Sequence, residues 1–245
     1  MVFLGIGSLD GHGAPTYKQT ERMQFLMSTI SPLLNPRRVY CAGPLFNEAE
    51  RGEMLRLAEV LKVAGFDPFV PHADGMEFAK LQPYLVGQGY AAADAGVWLH
   101  AAIFALDTYQ VVVGCGSLVI NLNGRVPDEG AVAEATMAWM LGKPVVAYKE
   151  DLRSVIEGRD NPLVIGQTRF EIETDLDRLG QALAERIAVQ TLPPDWTTSL
   201  PRHVQETVSA GAQLWRELEP LDAAGDLAPL AEAVLDLFGP ERQTC

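Results

Sequence analysis

Cysteine is scarce: Cys41, Cys115 and Cys245 are the only three in 245 residues. An odd, sparse set without metal spacing makes neither a disulfide framework nor a cysteine metal site. A reducing cytoplasm is the compartment such usage suits. Histidine is equally thin, and His72 and His100 have no partner at ligand spacing, so no metal is expected. There is no basic run. With 19 Lys and Arg against 32 Asp and Glu, the net charge is −13. That speaks against a nucleic-acid polymer as partner, because neutralising phosphates takes clustered cations. A nucleoside-sized ligand stays compatible, since a small site needs only local chemistry. No apolar stretch reaches the roughly 18 uninterrupted residues of a membrane span, so no membrane association is expected. Met1 to Ser8 is apolar but lacks a basic n-region and a sufficient h-region, and is not read as a signal peptide.

What remains is ordinary globular material, 48% hydrophobic and 21% charged, enough for one large domain or a domain with an appendage. Residues 1–36 form a lead-in with several glycines and one expected helix over Tyr17–Leu34. A regular alternation follows over residues 37–190. Strands are expected at Arg38–Ala42, Phe66–Val70, Ser117–Leu122 and Pro144–Tyr148, with a weaker fifth at Thr168–Ile172. Helices are expected at Glu48–Ala64, Ala91–Asp107, Gly130–Leu141 and Leu176–Val189, and residues 71–90 read as an irregular excursion. Strands alternating with helices imply an α/β fold, a parallel sheet covered on both faces. Thr191–Asp195 is a break, and residues 191–245 form a helical C-terminal extension with amphipathic helices over His203–Leu218 and Leu227–Phe238.

The most informative stretch is Asp128-Glu129-Gly130-Ala131-Val132-Ala133-Glu134. It lies just past the buried strand Ser117–Leu122, at the sheet edge where open α/β folds bind ligands. Acids in a first helical turn commonly cap free N–H groups and complement the macrodipole. Glu134, however, sits on a helix that is apolar nearly all round, and a carboxylate there needs a partner or a task. Asp107 ends a helix, where the macrodipole disfavours an acid. Gly43 permits close backbone approach after the first strand, and N–H groups of the following helix offer an anion cradle. Tyr40 and Phe46 are placed to flank a planar base, or are simply core aromatics beside a turn. Asn123, in a turn with Gly124, is a further pocket candidate.

Taken in order, several segments resemble the nucleoside 2-deoxyribosyltransferase family. They are Tyr40-Cys41-Ala42-Gly43-Pro44-Leu45-Phe46, Gly65-Phe66 with Pro68 and Pro71, Asp107, Leu122 through Gly130, Glu134, and Gly142-Lys143-Pro144-Val145. Asp151-Leu152-Arg153 and Asn161 extend the likeness, which covers about residues 37–190. The resemblance implies a doubly wound, flavodoxin-like parallel sheet. It implies cleavage of an N-glycosidic bond, with the sugar passed to a second base or to water. Glu134 then corresponds to the nucleophile, Asp128 to the acid that holds sugar hydroxyls, and Asp107 to the acid near the base. Tyr40 takes the first-strand aromatic position that orients Glu134. The substrate-binding set is Tyr40, Gly43, Pro44, Phe46, Asn123 and Gly130, with no metal and no cofactor.

The residue types fit that chemistry. Cleavage passes through an oxocarbenium-like state that a carboxylate traps or stabilises, and the departing base needs a proton. Two alternatives stay open: an N-glycosidase of nucleoside 5′-monophosphates, and a catalytically silent nucleotide-binding module. The resemblance also implies a homo-oligomer. Val204, Val208, Leu214, Trp215, Leu227, Leu230, Val234 and Leu237 form apolar surface that is assigned to a subunit contact in preference to an intrachain brace.

Overall fold

The computed structural model describes residues 35–124, 126–151, 160–190, 200–221 and 225–240. The helix expected over Tyr17–Leu34 and the break at Thr191–Asp195 lie outside them. Strands β1 (Arg38–Ala42), β2 (Asp67–Phe69), β3 (Ser117–Asn121), β4 (Val145–Tyr148) and β5 (Ile172–Glu173) form one sheet in the order β2-β1-β3-β4-β5. Every pairing is parallel. This is the doubly wound, flavodoxin-like order, with its switch point between β1 and β3.

Both faces are covered, which is why β1, β3 and β4 read as unbroken apolar runs. Successive β1 residues alternate between two cores. Val39 and Cys41 pack with helices α1 (Glu48–Val63) and, late in the chain, α7 (Leu179–Val189). Tyr40 and Ala42 pack on the other face with α5 (Glu129–Met140) and the short α6 (Pro162–Ile165). Helix α1 begins because the Asn47 side chain accepts from Glu50 N at 3.0 Å, and it buries Met54, Leu57, Ala58 and Leu61 at helical spacing. Helix α5 ends at Gly142, whose φ of 75° is the left-handed cap conformation that glycine adopts without strain.

Residues 71–90 are not irregular. They contain α2 (Pro71–Asp74) and α3 (Phe78–Gly87), the latter with Pro83 inside it. Burial of Leu81 and Leu85 outweighs the proline, which had signalled a loop. Helix α4 runs Ala92–Tyr109 and passes directly into a π-helical turn, Gln110–Gly114, which has no mark in the sequence. The unit Ala92–Gly114 is long and apolar enough to cross a membrane, but half of it is buried within the fold, as for a core helix. The fifth strand is displaced from Thr168–Ile172 to Ile172–Glu173, because Gly166–Thr168 forms a 3-10 turn and Arg169 and Phe170 take positive φ.

The extension folds back onto the domain. Helices α8 (Arg202–Leu218) and α9 (Ala228–Phe238) bury Val208, Leu214, Leu230 and Val234, the last three against α3 and α4. The crossing is close: a Cβ on Gly211 would lie 2.1 Å from the Ala105 carbonyl oxygen. Trp215 meets Phe69 edge-on at 5.7 Å. The intrachain brace, not a subunit contact, therefore accounts for much of the apolar surface of these helices. Each fully buried aliphatic side chain contributes about 1.5–3 kcal/mol.

Candidate active site

Tyr40 points from mid-β1 under α5, and Glu134 points back at it from the second turn of that helix. The Tyr40 hydroxyl donates to Glu134 Oε1 at 2.8 Å. Tyr40 is fully buried, with its ring 5.5 Å from that of Phe69. Its face is not available to a planar base, so the flanking role given to it does not hold; its hydroxyl is what reaches the site.

Two further acids act on Glu134. Burial raises its carboxyl first, the charge of Asp107 raises it further and so does that of Asp128, while the Tyr40 hydroxyl opposes them. The result is pushed up to about 8. Asp107, in the last turn of α4, is raised by burial to about 7. The Tyr40 phenol is held well above its ordinary range by burial and by the charges of Glu134 and Asp107. Three acids and one phenol from β1, α4 and α5 thus act on one another near the β1–β3 switch point. At neutral pH such a group retains a proton, because like charges in a desolvated setting do not all ionise.

Asp128 also does what ordinary helix chemistry asks of it. It is the N-cap of α5, and its Oδ1 accepts from Ala131 N at 2.7 Å. Gly130 is exposed beside it, and a Cβ there would lie 3.2 Å from Asp128 Oδ1.

A cleft of about 880 Å³ opens at the carboxyl edge of the sheet, walled by the loops after β1, β3 and β4. Pro44, Phe46, Asn123 and Asp128 line it, and Phe46 is 78% exposed. Asp128 is the residue common to the cleft and the acid group; Tyr40, Asp107 and Glu134 are not part of the cleft lining. Gly43 serves packing, since a Cβ there would lie 2.5 Å from Met54 Sδ. Asn123 is a clamp. Its Nδ2 donates to Glu53, and its Oδ1 accepts from Glu150 N at 2.9 Å and Asp151 N at 3.0 Å.

Sequence reasoning missed Glu50, Glu53, Arg56 and Glu150, which also line the cleft. The signals were available: Glu50 and Glu53 share a helical face near the start of α1, and Glu150 follows β4 at the ligand-binding edge. The anion cradle expected at α1 is filled. Phe46 N donates to Glu50 Oε2 at 2.9 Å, and Glu50 N is taken by Asn47. Among the described residues no group of His, Cys, Asp or Glu is arranged to hold a metal.

A family model, nucleoside 2-deoxyribosyltransferase, matches residues 39–198. Among solved structures, a conserved protein from Enterococcus faecalis is similar at 21% identity and a TM-score of 0.44, over 61% of this chain and 98% of that one. No curated protein matches the chain.

Proposed function

The chain belongs to the nucleoside 2-deoxyribosyltransferase family, and from that premise we propose that it cleaves the N-glycosidic bond of a 2′-deoxynucleoside with Glu134 as nucleophile. The observation that carries this reading is the 2.8 Å hydrogen bond from Tyr40 to Glu134 Oε1. It fixes one carboxylate oxygen and favours the ionised form, leaving the second oxygen to attack.

In the proposed sequence Glu134 attacks the anomeric carbon and the carbon–nitrogen bond breaks. The electron pair leaves with the base, which takes a proton from Asp107. The sugar remains as an ester of Glu134. A second base, giving its N–H proton to the Asp107 carboxylate, or a water molecule then displaces Glu134 and restores the site. Asp128, on the cleft wall, holds a sugar hydroxyl. Tyr40 orients Glu134, and neither metal nor redox cofactor takes part.

The cleft favours a nucleoside over a 5′-monophosphate. Among the described residues its lining carries Glu50, Glu53, Asp128, Glu129, Glu150 and Asp151, with Arg56 as the cation. The backbone donors that would receive a phosphate, Phe46 N and Glu50 N, already have acceptors. A dianion there meets repulsion from these carboxylates.

A cytoplasmic setting suits the free, buried Cys41 and Cys115. A homo-oligomer is part of the proposal and is read by light scattering. The function is tested by mass spectrometry on a panel of nucleosides and 5′-nucleotides, with and without an acceptor base. Released base or exchanged nucleoside from unphosphorylated substrates supports the reading; binding without cleavage anywhere in the panel contradicts it.

A further inference from the structure

Asp107 and Glu134 sit on different helices, and their separation must be held by something other than the helices themselves. Helix α4 does not end in a free terminus. It runs into the π-helical turn Gln110–Gly114, whose carbonyls need partners. One side chain ties the turn to the residue after it: Lys143 Nζ donates to Val111 O within the turn at 2.7 Å and to Cys115 O just past it at 2.5 Å.

Lys143 is itself bolted to α5. Its N–H donates to Ala138 O at 3.0 Å, one turn beyond Glu134, in the left-handed cap that Gly142 permits. Its carbonyl and that of Gly142 accept from Gln190 Nε2 at 2.8 and 2.7 Å. The backbone of Lys143 therefore moves with the helix of Glu134, and its ammonium holds the turn that follows Asp107. Lys143 is 1% exposed. A fully buried ammonium is costly to keep, and burial alone pulls it down to about 7, with Cys115 opposing. A methionine would fill such a space without that cost.

We infer that Lys143 is a positioning residue that sets Asp107 opposite Glu134 by cross-bracing the π-helical turn to the end of α5. The inference rests on the proposed reaction for its kinetic consequence but not for its structural one. Without the brace the π turn relaxes, and Asp107 moves out of register with Glu134 and toward solvent, losing the burial that raises it. A displacement of about 1 Å is enough to cost roughly a hundredfold in rate.

The test compares Lys143→Met and Lys143→Gln with the parent chain. Carbon-13 carboxyl NMR of Asp-labelled protein follows the titration of Asp107, which in the parent lies at about 7. In Lys143→Met, with melting still cooperative, that titration is expected to move toward the ordinary aspartate range. The kcat for nucleoside cleavage is expected to fall by about 10- to 100-fold while KM changes little, with a matching shift in the acidic limb of the pH profile. A folded Lys143→Met with the parent's Asp107 titration and turnover overturns the inference. So does loss of folding in both variants, which would make Lys143 a general stability residue. The NMR readout needs no catalysis, so an inactive parent would sink the proposed reaction while leaving this inference to its own result.

Discussion

Tyr40 and Glu134 are 94 residues apart in sequence, yet the phenol of one donates to the carboxylate of the other at 2.8 Å. The bond joins the middle of β1 to the second turn of α5 and selects one oxygen of Glu134. It also opposes the burial and like charges that raise the Glu134 carboxyl.

Tyr40→Phe keeps the ring against Phe69 and removes only the hydroxyl. Glu134 should then be raised further, because the group that lowered it is gone. The expected result is a fall in kcat of about 100- to 1000-fold, as for loss of one preorganised donor, with the basic limb of the rate profile, which follows the higher titration of the pair, moved to higher pH. Steady-state kinetics over a pH series checks both parts. An unchanged limb would remove the hydroxyl from the account.

The acid group should give a bell-shaped profile of kcat/KM. Asp107 and Glu134 titrate as a coupled pair near about 7 and about 8. Below that window both hold protons and no nucleophile exists. Above it both are ionised and no acid remains for the departing base. Activity therefore peaks within the window and falls on each side. A profile that rises monotonically through pH 9 would contradict the assignment of Asp107 as acid.

Stability carries the opposite mark of the same residue. The Glu134 carboxyl is raised in the folded chain from an ordinary 4.5 to about 8. The folded state thus holds a proton that the unfolded state loses, and stability is fully present below pH 4.5 and lost as pH rises through 8. Glu134→Gln has no such titration and keeps an acceptor for Tyr40. Its melting temperature should match the parent near pH 4 and exceed it near pH 8. Calorimetry at the two pH values checks this, and a variant less stable than the parent at both would contradict it.

The close crossing of α8 over α4 gives a prediction about the extension. Gly211→Leu drives a side chain into the Ala105 carbonyl and Tyr109 Cβ, 2.1 and 2.5 Å from the position of a Cβ. Overpacking of this kind costs about 1–3 kcal/mol, or roughly 2–12 °C in Tm for a chain of this size. An unchanged Tm would mean that the extension does not brace the domain.

Much of this arrangement was legible in the sequence, and the exceptions have physical causes. Strands β1, β3 and β4 announced themselves because a parallel sheet buried on both faces needs uninterrupted apolar runs such as Val145–Tyr148. Asp128 before an apolar helix marked the start of α5. Pro71, Pro83 and the nearby glycines concealed α2 and α3, since local propensity says nothing of the burial that Leu81 and Leu85 find. The same gap misread α8 and α9: their apolar stripes were evident, but which surface would cover them was not. Gly43 looked like room for a ligand and is room for Met54. The π-helical turn and the buried Lys143 behind it are set by tertiary contacts between segments about 30 residues apart, which no local pattern encodes.

The central claim is that Glu134 bonds covalently to the sugar. The most direct measurement is peptide mass spectrometry after rapid acid quench of the chain with a 2′-deoxynucleoside and no acceptor base. The account predicts a mass increase of one deoxyribosyl group on the peptide containing Glu134, absent in Glu134→Gln and discharged on adding a free base. Turnover with no adduct, or an adduct on a different residue while Glu134→Gln remains active, would contradict it.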